Sequence, residues 1–185
     1  MADVKELLSQ VYEIREGSDA LRAYMERHQV WSAGVLTVFT DEMADLIASY
    51  LTPRIEGKTV VEIGGGIGLL ACHLGLIAKR VYCIEANPDW SAVFVNQLLA
   101  AKPKNVSYLF GAADEFSGMF GADVAVVCTH SGLESMKRAA LIFAPTVIDV
   151  YGELIAMDPD GYDKFARTLR AQSYRAHDPK PSDRT

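Results

Sequence analysis

No apolar run approaches the roughly 18 to 20 residues that cross a bilayer, which argues against a membrane protein. The first residues, Met1 to Glu6, are charged and amphipathic rather than signal-like, so a cytoplasmic location is expected. Cysteine is scarce: Cys72, Cys83 and Cys128 are an odd number, form no CxxC pair and each sit in an apolar run. They read as reduced core cysteines. The four histidines include no pair at metal-ligand spacing, so no metal is expected. Basic residues are outnumbered, 18 Lys and Arg against 24 Asp and Glu, for a formal charge of -6. A bulk basic surface for nucleic acid is thereby disfavoured, although a local basic patch stays open. There is no internal repeat, low-complexity segment or long linker. What remains is 185 residues, half of them hydrophobic and 23% charged. That balance suits one globular domain and excludes disorder, a collagen-like fibre and a coiled coil.

Residues 1–52 read as helices. The third carries Met43, Leu46, Ile47 and Tyr50, with Thr40 or Asp41 as its cap and Pro53 as its stop signal. The pattern then changes. Short β-branched runs at 59–63, 80–84, 106–110, 124–128 and 146–150 alternate with helical stretches near 67–78, 88–101, 132–143 and 159–172. Near-continuous apolar strands separated by helices predict a parallel sheet covered on both faces. The expected architecture is a doubly wound α/β domain: a helical cap over 1–56, an α/β core over 57–152, and a C-terminal helix with a polar tail over 153–185.

The stretch from Val60 to Leu70 carries the chemistry. A strand ends at Ile63, a glycine-rich turn follows at Gly64, Gly65, Gly66 and Gly68, and a helix begins near Gly68. Glycines permit positive φ and let a ligand approach the backbone. The helix start is expected to offer free N–H groups and partial positive charge. The dinucleotide pattern GxGxxG fails, because its third glycine falls on Leu69 or on Ala71, and no Gly-Lys-Ser/Thr marks a P-loop. Glu62 discriminates further. A carboxylate at the end of the first strand repels a pyrophosphate and suits a cationic ligand such as S-adenosylmethionine. Glu85, at the end of the second strand, can accept hydrogen bonds from ribose hydroxyls, as it could for NAD.

Glu-Ile-Gly-Gly-Gly-Ile-Gly followed by Ile-Glu-Ala-Asn-Pro resembles the class I S-adenosylmethionine-dependent methyltransferases, over roughly residues 57–152. The resemblance implies a Rossmann-like fold and S-adenosylmethionine as cofactor, with S-adenosylhomocysteine as product. It implies that Glu62 holds the methionine amino group through water, and that Gly64, Gly65, Gly66 and Gly68 floor the site. Glu85 would bind the ribose, Ala86 would lie against the adenine, and Ala112, Ala113 and Asp114 would supply further adenine contacts. Cys128 and Thr129 would face the methyl donor. The aspartate that many members carry after the third strand is Ala112 here, with Asp114 as a substitute. Members also end with a sixth strand and an antiparallel seventh, and about 35 residues after Val150 leave little room for both. The last strands are therefore expected to be missing, or their edge covered by another copy or another chain.

The acceptor is not legible. Cys128-Thr129-His130-Ser131-Gly132 replaces the Asn/Asp-Pro-Pro-aromatic motif of base amino-group methyltransferases, which disfavours that activity. His130 is the candidate general base. The expected function is methyl transfer to a small molecule or a protein side chain. The alternatives are a catalytically degenerate S-adenosylmethionine-binding subunit, a partner-dependent module, or transfer of another group from the same cofactor.

Overall fold

A computed structural model describes residues 41–66, 68–86, 103–128 and 133–157. In chain order they form helix α1 (Asp41–Ile55), strand β1 (Thr59–Ile63), helix α2 (Leu69–Leu74), strands β2 (Arg80–Glu85) and β3 (Val106–Phe110), and a 3-10 turn (Ala113–Phe116). Strand β4 (Val124–Val127), helix α3 (Leu133–Ala140), strand β5 (Thr146–Asp149) and helix α4 (Val150–Met157) follow. The five strands make one sheet in the order β3-β2-β1-β4-β5, parallel at every pairing.

The apolar strands follow from burial on both faces. Along β1, Val60 joins one core cluster with Val81, Val124, Val126 and residues of α1 and α2. Val61 and Ile63 point the other way, into a second cluster with Ile84, Ala125, Ala140 and Phe143. The second face includes stacked rings, with Tyr82 and Phe120 centroids 4.2 Å apart and Phe120 and Phe143 4.9 Å apart. Period-two alternation thus feeds two cores rather than a core and a wet face. Helix α1 closes the first with Ala44, Ile47, Ala48, Leu51 and Ile55, all buried.

The five-stranded doubly wound sheet agrees with the expectation from sequence, and its boundaries differ in places. Pro53 lies inside α1 rather than after it. Proline removes one backbone donor. Two anchors carry the helix past it: Ile55 is fully buried, and Arg54 makes a bidentate pair with Glu153 of α4 at 2.7 Å and 2.7 Å. β5 ends at Asp149, because Asp149 Oδ1 accepts the N–H of Gly152 and caps α4, a helix not expected at 150–157. Helix α2 stops at Leu74 rather than 78, with a turn stapled by Asn105, whose Nδ2 donates to the carbonyls of Gly75 and Ala78. β4 ends at Val127, one residue early, and α3 covers Leu133–Ala140 of the expected 132–143. The expected helices within 1–40, at 88–101 and at 159–172 lie outside the described residues. No sixth strand is present among the described residues.

Candidate functional site

β1 and β4 adjoin at the middle of the sheet, and the chain leaves them toward opposite faces: α2 packs in the first core, α3 in the second. Open α/β sheets bind ligands beyond the carboxyl ends of the strands at such a switch point. The strand register brings the ends of β1 and β4 together, with Ile63 beside both Ile84 and Val127, and Glu85 beside Phe110. Gly64 to Gly66, Glu85, Ala86, Ala112, Ala113, Asp114 and Cys128 are therefore gathered at one edge. His130 and Thr129 lie outside the described residues.

The turn after β1 is locked from within. Gly64 and Gly65 donate to the carbonyl of Ile84 at 2.9 Å and 3.2 Å, and Gly68 donates to that of Gly65 at 2.8 Å. Gly66 donates to Glu85 Oε2 at 2.8 Å. The N–H groups of Gly64, Gly65, Gly66 and Gly68 are thus taken up inside the protein. What the turn offers instead is clearance. Gly66 has φ +55, and a Cβ there would meet nothing within 4 Å. Gly65 is glycine for the opposite reason: a Cβ there would lie 2.1 Å from Cys83 Sγ and 3.2 Å from Glu62 Oε2. A Cβ on Gly64 would touch Met136 of α3 at 3.4 Å, so Met136 borders the turn from the second face.

Glu62 sits behind Gly65, with 1% of its surface exposed. Its Oε2 has no hydrogen-bond partner. Burial pushes its carboxyl up to about 8, against a hydrogen bond from the Cys83 thiol that favours the charged form, and the nearby Glu85 raises it further. The cysteines are free thiols, as expected, with Cys72 and Cys83 buried and Cys128 half-buried. Burial and the negative charge of Glu62 hold the Cys83 and Cys128 thiols well above their ordinary range and push Cys72 up to about 12. Reactive thiolates are not what these residues provide. Ala112 precedes the 3-10 turn in extended conformation, and Asp114 in its first turn is exposed. His73 is buried, its Nδ1 3.6 Å from Asp45 Oδ1 of α1, and belongs to the packing of α2 rather than to the sheet edge. Among the described residues, no cluster of three or more potential metal ligands occurs.

Two site features were not foreseen from the sequence. One is the Cys83 contact to Glu62. Both are the fourth residue of their strands, and aligning the two strand starts, Thr59 with Arg80, puts them side by side. The other is Met136, which had only its place on a helix after β4 to mark it.

The residues present fit a cationic cofactor. A buried carboxylate with an unmatched oxygen and a second carboxylate at the end of β2 flank an uncovered glycine. Among the described residues, the groups acting on Glu62 are thiols, a phenol and a carboxylate, none of them cationic.

No family model matches the sequence, and no curated protein matches it. Solved structures do. The precorrin 8w decarboxylase of Methanobacterium thermoautotrophicum is 25% identical, with a TM-score of 0.52 over 67% of this chain and 72% of that one. A protein of Pyrococcus horikoshii described as a transferase gives 20% identity and a TM-score of 0.50 over 58% of this chain and 42% of that one. Another from the same organism, described as an RNA methyltransferase, gives 23% identity and a TM-score of 0.49 over 57% of each chain. The chain thus spans about half the length of the two Pyrococcus proteins. The fold is the Rossmann-like fold of the class I S-adenosylmethionine-dependent methyltransferases.

Proposed function

We propose that this protein binds S-adenosylmethionine at the edge formed by the Gly64–Gly66 turn and Glu85, and transfers its methyl group to a small molecule or a protein side chain. One observation carries the reading. The open face of Gly66 lies between two carboxylates, Glu62 buried behind the turn and Glu85 hydrogen-bonded to it, in a sheet edge suited to ligands. Neither group is cationic, so a pyrophosphate would find no counter-charge there and would meet the Glu85 carboxylate, whereas an ammonium or sulfonium group would be favoured. The similarity to a protein named for action on a precorrin supports a small-molecule acceptor over a protein side chain.

Bound there, the cofactor supplies a methyl group on a positively charged sulfur, a group poised for in-line displacement. The chain's own part is to hold and orient. Glu85 has a second carboxylate oxygen for ribose hydroxyls while Oε2 keeps the turn in shape. The uncovered Gly66 lets the ligand approach the main chain. Ala112, Ala113 and Asp114 border the adenine side beyond β3, and Cys128 the donor side beyond β4. His130 would take the proton of a weakly acidic acceptor, and Thr129 would lie beside the donor. Orientation supplies much of the rate in such a reaction.

A second reading keeps the cofactor without the catalysis: a binding subunit whose activity needs a partner. The methyl side chain of Ala112, where related proteins place an aspartate, favours it. Product analysis separates the two readings. Adenosylhomocysteine accumulates with a methyl acceptor under the first, methylthioadenosine if another group is transferred, and neither under the second.

A further inference from the structure

We propose that Glu62 binds cations by exchange: its carboxyl carries a proton in the ligand-free protein and releases it to solvent when a positively charged ligand settles over the glycine turn. The inference rests on the reading of this edge as an S-adenosylmethionine site.

The geometry sets the problem. Glu62 is the one fully buried carboxylate of the described sheet, and its Oε2 has no hydrogen-bond partner. The groups facing it are Cys83 and Glu85 from β2, Cys72 from α2, Tyr108 from β3 and Cys128 beyond β4. The nearby imidazole, His73 of α2, lies against Asp45. Among the described residues, none of the groups acting on Glu62 is a lysine or an arginine. An ionised carboxylate there would lose its water shell without gaining a counter-charge, a state that proteins avoid by keeping the group neutral. Burial accordingly pushes the Glu62 carboxyl up to about 8. The buried acid thus lies directly behind the turn, with Oε2 3.2 Å from where a Cβ on Gly65 would stand.

A cation arriving on that face supplies the missing charge. The O–H bond of Glu62 breaks, the proton leaves to solvent, and the carboxylate is balanced by the ligand. Site charge is unchanged, one proton appearing in solution for each ligand bound. Affinity should therefore rise with pH up to the Glu62 range and then level, by up to tenfold per unit on the rising limb. An α-amino group on the ligand titrates near 8 as well, so the clean window is about pH 6.5, where the ligand is charged and Glu62 still protonated.

The test is calorimetry of S-adenosylmethionine binding to the full chain at about pH 6.5 in two buffers of different ionisation enthalpy. Wild type should release close to one proton per ligand, and Glu62→Gln close to none. Binding without release, or equal release by both proteins, would overturn the inference and leave the reading of the site standing. No binding by wild type would overturn the reading and the inference with it. Because Glu62→Gln could fail to fold, the infrared carbonyl band of a protonated carboxyl is followed in wild type on adding ligand. Its loss supports the exchange, and its persistence with ligand bound contradicts it.

Discussion

Glu85 accepts the backbone N–H of Gly66 at 2.8 Å, tying the end of β2 to the glycine turn that follows β1. One carboxylate therefore shapes the turn, and under the proposed function it also meets the ribose hydroxyls. Glu85→Ala should lose both roles and weaken S-adenosylmethionine binding by about 2 to 4 kcal/mol, roughly 30- to 1000-fold. Glu85→Gln keeps an acceptor for Gly66 and should lose less. Titration calorimetry on the two variants checks the order; equal losses would make the turn contact irrelevant.

Neighbouring glycines should fail in different ways. Gly65→Ala forces a Cβ to 2.1 Å from Cys83 Sγ, in a site walled by β2 and Glu62. It should cost about 1 to 3 kcal/mol or more as an overpacked core, seen as a lowered melting temperature. Gly66→Val has free space around the new side chain and only its φ of +55 to resist. That variant should fold and lose ligand affinity. A Gly66→Val protein that binds as tightly as wild type would place the ligand elsewhere.

Much of this was legible in the sequence. β1 and β3 were read at their observed bounds, because short β-branched or aromatic runs bounded by turn signals favour strands. The motif residues Glu62, Glu85 and the glycines could be placed at the carboxyl ends of their strands from the alternation of strands and helices. What escaped depended on tertiary partners. Pro53 reads as a stop unless Arg54 is known to reach Glu153, ninety-nine residues away. Val150 reads as the end of a strand unless Asp149 is seen to cap the next helix. The internal bonds of the turn were not legible for the same reason: only the approach of Ile84 and Glu85 shows that the N–H groups of Gly64, Gly65 and Gly66 are taken.

Stability should carry the signature of Glu62. Burial pushes its native carboxyl up to about 8, against about 4.3 in the unfolded chain, so the native state holds the extra proton between those values. The contribution is full below about pH 4, declines as pH rises and is gone above about 8. Glu62→Gln cannot ionise, so it should match wild type near pH 4 to 5 and exceed it near pH 9 by on the order of 5 kcal/mol. Chemical denaturation of both ligand-free proteins at the two pH values reads this directly. A variant less stable than wild type at both would assign Glu62 a structural role as an ion.

The pair between Arg54 and Glu153 runs the other way. The guanidinium holds the Glu153 carboxyl below its ordinary value, so its contribution is present above about pH 4.3 and lost as pH falls through the native value. The Arg54 and Glu153 side chains are 37% and 31% exposed, which limits the pair to about 1 kcal/mol despite its bidentate geometry. Arg54→Met should lower stability by that much at neutral pH and by less at pH 3, measured by denaturant midpoint.

The central claim is the identity of the ligand. Its most direct test is calorimetric titration of the full chain with S-adenosylmethionine, S-adenosylhomocysteine and NAD, with Glu85→Ala as control. The account predicts micromolar binding of the first two, lost or greatly weakened in the variant, and no comparable binding of NAD. Binding of NAD alone, or of none of the three, would contradict it.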